Sequence, residues 1–233
     1  MLEPIRDKIA AVTGGTRGIG RAIAERLAAE GVRVAICGRT EESARRAAAA
    51  MPGTLAVGAD LSTLEDVRKF FHAIDERFGG LDILVNNAGI GIFGSLAELS
   101  PEDWLRTIGL NLNGAFFCAQ EALRRFRNRG GGYVVNISSL AGKNPFAGGA
   151  AYNASKFALN GMSEAMMLDH RYENVRVSYI MPGSVATGFG SGGEADWKIA
   201  PEDIAETVVL LLRMPSRTTV SRVEIRPSKP RKQ

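Results

Sequence analysis

The chain offers little to metal or disulfide chemistry: among its 233 residues are two cysteines and two histidines. Cys37 and Cys118 form no disulfide framework and no ligand spacing, and both lie in apolar stretches, so they read as buried free thiols. His72 and His170 complete no metal-ligand cluster and read as helix-surface residues. No apolar run reaches the roughly 18 residues a membrane helix needs, and Met1 to Asp7 shows no signal-peptide pattern, so a cytoplasmic protein without membrane contact is expected. Neither sign of charge dominates, with 29 basic and 25 acidic residues, a net charge of +4 and a pI near 9.3. Part of the basic excess is terminal. Arg226, Lys229, Arg231 and Lys232 lie with two prolines and no acid, which marks residues 228–233 as a frayed basic tail. No aromatic platform, finger spacing or recognition helix accompanies the charge, so no nucleic-acid partner is expected.

What is present is the composition of an ordinary globule, 45% hydrophobic and 23% charged with a mean hydropathy of −0.03. That length suits one α/β unit over residues 1–227. Short β-branched runs alternate with longer helical patterns throughout. This alternation predicts a Rossmann-like, doubly wound parallel sheet of about seven strands in a three-layer α/β/α arrangement. The strand candidates are Ile9 to Thr13, Val32 to Cys37, Leu55 to Val57, Ile83 to Asn86, Tyr133 to Ser138, Val175 to Ile180 and Val223 to Ile225. Helices are expected from near Gly18, Glu41, Thr63, Ser100, Ala151 and Pro201. Ser100-Pro101 supplies a cap followed by proline at the first helical position, and Ser62 or Thr63 precedes two acids.

Thr13-Gly14-Gly15-Thr16-Arg17-Gly18-Ile19-Gly20 follows the first strand and opens into a helix. Its glycines permit a tight turn and close approach of backbone to a pyrophosphate, while the helix start offers unpaired N–H groups. No Gly-Lys-Ser/Thr follows, which excludes a mononucleotide P-loop. After the second strand, Cys37-Gly38-Arg39-Thr40 lacks the acid that binds a ribose 2′-hydroxyl. Arg39, with Arg17 as a second cation, suits a 2′-phosphate, so NADP(H) is expected ahead of NAD(H).

Further motifs complete a pattern: Ala59-Asp60-Leu61, Asn86-Asn87-Ala88-Gly89, Leu110-Asn111-Leu112-Asn113-Gly114, Asn136-Ile137-Ser138-Ser139, Tyr152-Asn153-Ala154-Ser155-Lys156 and Pro182-Gly183. In order and spacing the chain resembles the short-chain dehydrogenase/reductases, in the branch that includes 3-oxoacyl-carrier-protein reductases. The resemblance implies a homo-dimer or homo-tetramer that interconverts a small-molecule carbonyl and its alcohol. It implies Asn111, Ser139, Tyr152 and Lys156 as the catalytic group. It further implies cofactor contacts from Gly14, Thr16, Arg17, Gly18, Ile19, Gly20, Arg39, Asp60, Leu61, Asn87, Ala88, Gly89, Pro182, Gly183, Val185 and Thr187, together with Tyr152 and Lys156. The spacing to Tyr152 selects Ser139 over Ser138, and Asn111 would hold a water for a proton relay through Lys156.

The residues themselves agree with part of this. Tyr152 and Lys156 are one helical turn apart on one face, where an ammonium lowers a phenol's pKa. Alternatives stay open elsewhere: Asp60 also suits a turn cap, Asn111 an exposed helix position, and Asn86 reads better as a strand-end hydrogen bond than as a contact. Phe146, Phe189 and Trp197 are candidate substrate-wall residues around a short segment, Gly188 to Trp197. The family's closing Asp-Gly-Gly is replaced by Val223-Glu224-Ile225-Arg226-Pro227. A non-catalytic NADP(H)-sensing protein on the same fold is the competing reading.

Overall fold

The computed structural model describes residues 2–189 and 195–230. Seven parallel strands form one sheet in the order β3-β2-β1-β4-β5-β6-β7. They are β1 (Ile9–Val12), β2 (Arg33–Gly38), β3 (Leu55–Gly58), β4 (Ile83–Asn86), β5 (Gly132–Ile137), β6 (Val175–Pro182) and β7 (Arg222–Ile225). The helices between them are α1 (Gly18–Ala29), α2 (Glu41–Ala48), α3 (Leu64–Phe78), α4 (Pro101–Ile108), α5 (Ala115–Arg129), α6 (Ala150–His170) and α7 (Pro201–Leu212).

The central strands β1 and β4 read as nearly continuous apolar runs because both faces of the sheet are covered there, while edge strand β7 alternates exposed and half-buried residues. Alternate residues feed two cores. Ala10, Val12, Ile83 and Val85 pack with Ile23 and Leu27 of α1 and Val208 and Leu211 of α7. Ile9, Ala11 and Leu84 face the other way, with Phe70 and Ile74 of α3, Ala122 and Phe126 of α5 and Met166 of α6. Cys37 and Cys118 both lie in this second core; burial pushes the Cys37 thiol up to about 12 and raises Cys118 as well, so neither is a reactive thiolate.

Local chemistry sets the helix starts. Thr40 accepts from the Ser43 N–H before α2, Ser100 from Asp103 before α4, and Thr63, rather than Ser62, from Asp66 before α3. The missing Asp-Gly-Gly does not remove the closing strand: β7 pairs with β6, Tyr179 opposite Arg222 through Pro182 opposite Ile225.

One expectation is corrected. The long helix expected from Ser100 is interrupted, because Gly109–Gly114 forms a π-helical segment between α4 and α5. Gly114 permits this by lying against the loop before α3; a Cβ there would stand 2.7 Å from the Leu61 carbonyl oxygen. The chain leaves β3 at one edge and returns to β4 on the far side of β1, so the strand order reverses between β1 and β4. Crevices at such reversals, at the carboxyl ends of the strands, are where open α/β sheets bind ligands.

Candidate active site

At that reversal the loop after β1 and the segment after β4 are locked together. Thr13 Oγ1 accepts from the backbone N–H groups of Asn87 (2.9 Å) and Ala88 (3.0 Å). Asn87 Nδ2 donates to the carbonyl oxygens of Thr13 (2.9 Å) and Gly14 (3.2 Å). Gly20 leaves room for this amide: a Cβ there would sit 2.3 Å from Asn87 Nδ2 and 2.4 Å from the Gly14 oxygen. Gly14 has φ +63°, a conformation that favours glycine, beside the Ala88 backbone. Gly18 faces Thr187, whose Cγ2 lies 3.3 Å from the position its Cβ would take. Thr16, Arg17, Gly18 and Ile19 carry the chain from this glycine loop into the first turn of α1. Arg17 precedes α1 without a side-chain cap bond, so no N-cap side chain occupies the N–H groups of the first turn.

Arg39 is exposed at the end of β2 and Arg17 is exposed in the loop. Among the described residues neither guanidinium has an intrachain hydrogen bond or ion pair. Asp60 is a turn cap: Oδ1 accepts from the Ser62 N–H (3.0 Å) and hydroxyl (2.8 Å). Leu61 and Pro182 are buried, the first in the core and the second as the last residue of β6 opposite Ile225. Gly183 continues that pairing, its N–H donating to the Ile225 oxygen at 2.8 Å. Val185 bridges to Ile199, and of the Gly188 to Trp197 segment residues 190–194 lie outside the described residues. Gly89 packs against the Asn111 side chain.

The carboxyl ends of β5 and the start of α6 bring Ser139, Tyr152 and Lys156 together. Ser139 caps a short turn, its hydroxyl accepting from the Ala141 N–H at 3.1 Å, and it stands close enough to the Tyr152 phenol to hold that group's pKa down. Ser138 is occupied elsewhere, donating to Asn160 Oδ1. Lys156 is 5% exposed; its Nζ donates to the Ile137 oxygen at 2.9 Å and lies 5.7 Å from the centre of the Tyr152 ring. The expected lowering of the phenol's pKa is not found. Burial raises Tyr152 above its ordinary value, opposed in part by Ser139, while burial lowers Lys156 to about 8. In this arrangement both groups pay for desolvation and neither has a counter-charge.

Asn111 is 1% exposed, which removes the surface reading. Its amide grips the loop after β4, accepting from the Ile90 N–H (2.8 Å) and donating to the Ile90 oxygen (2.9 Å). It also donates to Ser155 Oγ (3.1 Å), whose hydroxyl donates to the Tyr152 carbonyl (2.7 Å). Asn111 thus ties three site segments together from within the π-helical turn. Asn86 behaves as a strand-end residue, donating to Asn136 Oδ1 and the Ala115 oxygen.

Two phenylalanines pack on the Tyr152 ring and a third packs on one of them. Phe93 lies 5.7 Å and Phe189 5.7 Å from the Tyr152 ring, and Phe146 lies 5.6 Å from Phe93. Phe146 and Phe189 match the sequence reading; Trp197 has its ring contact with Lys198 instead. Phe93 was not singled out, and Gly91 two residues before it shows its role only in the folded contacts. A Cβ at 91 would stand 2.6 Å from the Phe93 ring and 2.8 Å from Phe189. Thr13 and Ser155, which anchor the loop and the helix, also escaped notice because small hydroxyls declare no partner in sequence.

The family model for short chain dehydrogenases matches residues 8–196. The chain belongs to the short-chain dehydrogenase family. It is thus an oxidoreductase, and its relatives carry such names. A 3beta-hydroxysteroid dehydrogenase of Mediterraneibacter gnavus is 39% identical over 204 residues, 85% of this chain and 74% of the relative. A sepiapterin reductase of Chlorobaculum tepidum is 36% identical, covering 93% of this chain and 95% of its own. Among solved structures, an alcohol dehydrogenase from Thermococcus sibiricus complexed with 5-hydroxy-NADP aligns at TM-score 0.88 and 30% identity, over 98% of this chain and 100% of that one. A 3-ketoacyl-(acyl-carrier-protein) reductase from Brucella melitensis complexed with NADH aligns at 0.90 and 27%, over 96% and 98%.

Proposed function

We propose that this short-chain dehydrogenase is an NADPH-dependent carbonyl reductase or, in the reverse direction, alcohol dehydrogenase, interconverting a ketone or 3-oxoacyl thioester and its alcohol. The observation that carries this reading is the Tyr152 phenol beside buried Lys156, whose Nζ lies 5.7 Å from the centre of the phenol ring, with Ser139 close by, at the same sheet edge as the glycine loop. The loop fits a dinucleotide. Gly14 and Gly20 let the loop close against Asn87 and Ala88, and the first-turn N–H groups of α1 have no side-chain cap to occupy them. Unpaired Arg17 and Arg39 would hold a 2′-phosphate, which is the reason for preferring NADP(H) to NAD(H). When bound, the nicotinamide would supply the hydride in reduction or take it in oxidation.

The chain's own groups do the rest. Tyr152, protonated because burial raises its pKa, donates a proton to the substrate oxygen as negative charge develops there. The Ser139 hydroxyl hydrogen-bonds the same oxygen. Lys156 recharges the phenol, and Asn111 keeps the loop, the π-helical turn and α6 in register. Thr187, Val185 and the Asn87–Gly89 segment would flank the nicotinamide half. Exposed apolar side chains on α4 to α6, Leu105, Phe116, Phe157 and Leu168, support assembly as a homo-dimer or homo-tetramer. No described helix is long and apolar enough to cross a membrane, and a cytoplasmic location is part of this reading.

The test is nicotinamide oxidation over a panel of ketones and thioesters with each cofactor. NADPH is expected to give the higher kcat/KM, and Arg39→Ala to narrow the gap over NADH. Equal or better use of NADH by the unaltered protein would overturn the cofactor assignment.

A further inference from the structure

Around Tyr152 the chain has built a wall of rings, and the wall is largely open to solvent. Phe93 is 45% exposed, Phe146 45% and Phe189 39%, against a core where Phe70, Phe71 and Phe126 are fully buried. Phe93 meets Tyr152 edge-on at 79° and Phe146 at 62°, while Phe189 tilts at 50° on the other contact with Tyr152. Rings exposed together beside an acid-base group are unfavourable in water unless something covers them.

The wall is also held in place. Gly94 donates to the Gly148 oxygen at 2.8 Å and bridges to Gly149, which joins the Phe93 loop to the Phe146 loop. Asn153, next to Tyr152, donates to the Phe146 oxygen at 3.1 Å. Gly149 gives the Phe146 ring its seat, since a Cβ there would lie 2.7 Å from the ring. Gly91 does the same for Phe93 and Phe189. Phe93 and Phe189 thus pack on the Tyr152 ring and Phe146 packs on Phe93, the Phe93 and Phe146 loops being joined by backbone pairing.

We infer that the substrate is a ketone whose carbonyl belongs to, or is attached to, a flat apolar ring system, and that Phe93 determines this specificity. A rigid ring touches several fixed rings at once and loses little conformational freedom on binding. A long acyl-thioester arm, with many rotors and polar amides, gains less from the same surface. Offset-stacked and edge-on contacts with Phe93 and Phe189 set the ring's plane, so that the carbonyl oxygen reaches the Tyr152 and Ser139 hydroxyls.

This inference rests on the carbonyl-reductase reading above. The test compares 1-tetralone, 2,3-butanedione and acetoacetyl-coenzyme A as substrates with NADPH, in the unaltered protein, Phe93→Ala and Phe93→Leu. Cofactor binding by nicotinamide fluorescence confirms that each variant is folded. The unaltered protein is expected to prefer tetralone over butanedione in kcat/KM by about tenfold or more. Phe93→Ala should cut that ratio about tenfold or more, mainly through KM for tetralone, and Phe93→Leu, which keeps apolar bulk, should cut it less. A ratio unmoved by Phe93→Ala, or a preference for butanedione or the thioester, overturns the ring-ketone inference and leaves the reductase reading standing. Failure to oxidise NADPH with any of the three, despite cofactor binding, overturns both.

Discussion

Tyr152 and Lys156 present the sharpest question at the scale of single residues, because their pKa shifts run opposite to what their spacing alone suggests. One helical turn of separation is visible in sequence; the cost of burying both groups is not. The phenol is driven up and the amine down to about 8, so the pair enters reduction with its proton in place and a lysine that loses its charge just above neutrality. Reduction measured as kcat/KM for NADPH, which reports the free enzyme, should therefore hold level through neutral pH and decline as pH rises through about 8. A profile flat until the ordinary tyrosine range near pH 10 would contradict that role for Lys156. Tyr152→Phe removes the proton donor while leaving the ring among its neighbours. Turnover should fall by roughly 10²- to 10⁴-fold with NADPH affinity retained, read by steady-state kinetics beside fluorescence titration. That Ser139, Tyr152 and Lys156 come together was legible in the sequence, the last two from helical spacing and Ser139 from the family resemblance. Asp60 showed two readings there, and the turn is the one with a partner in the structure, its Oδ1 accepting from the Ser62 N–H and hydroxyl.

Elements were legible in type and less so in their interruptions. Each of the seven strands was anticipated, and most ends lie within a residue, because β-branched runs bounded by glycine carry their own signal; β6 runs further, through Pro182. The π-helical turn Gly109–Gly114 carried no such signal. An apolar 3.6-residue pattern continues through it, and the wider turn arises from tertiary fit, with Gly114 against Leu61 and Asn111 reaching to Ile90. Insertions of this kind recur at functional sites because they re-aim one side chain inside an otherwise regular helix. Asn111→Ala should leave the Ile90 N–H and carbonyl without partners and cost about 2 kcal/mol in denaturant unfolding, with turnover reduced as the loop loosens. A loss below about 0.5 kcal/mol would show that Asn111 is not the clasp described here.

Across the whole molecule the sheet order decides where chemistry can happen. A groove of about 690 Å³ opens at the amino edge, lined by Lys8, Asp82, Arg129 and Arg176 among others. Its charges are largely committed: Asp82 pairs with Arg129 and accepts from the Ile9 N–H, and Arg176 donates to the Met214 oxygen. The glycine loop and Tyr152 lie at the opposite, carboxyl edge, beside the reversal in strand order between β1 and β4. The parallel sheet was legible from alternating strand and helix patterns. That Phe93 would stand beside Tyr152 was not, since it depends on a backbone bridge between loops more than 50 residues apart, Gly94 to Gly149. The most direct measurement of the central claim is a crystal structure with NADPH bound. The pyrophosphate should rest on Thr13 to Gly20, the 2′-phosphate against Arg39, and the nicotinamide ring beside the Tyr152 hydroxyl. A dinucleotide seated in the amino-edge groove, or a Tyr152 hydroxyl turned away from the nicotinamide, would contradict it.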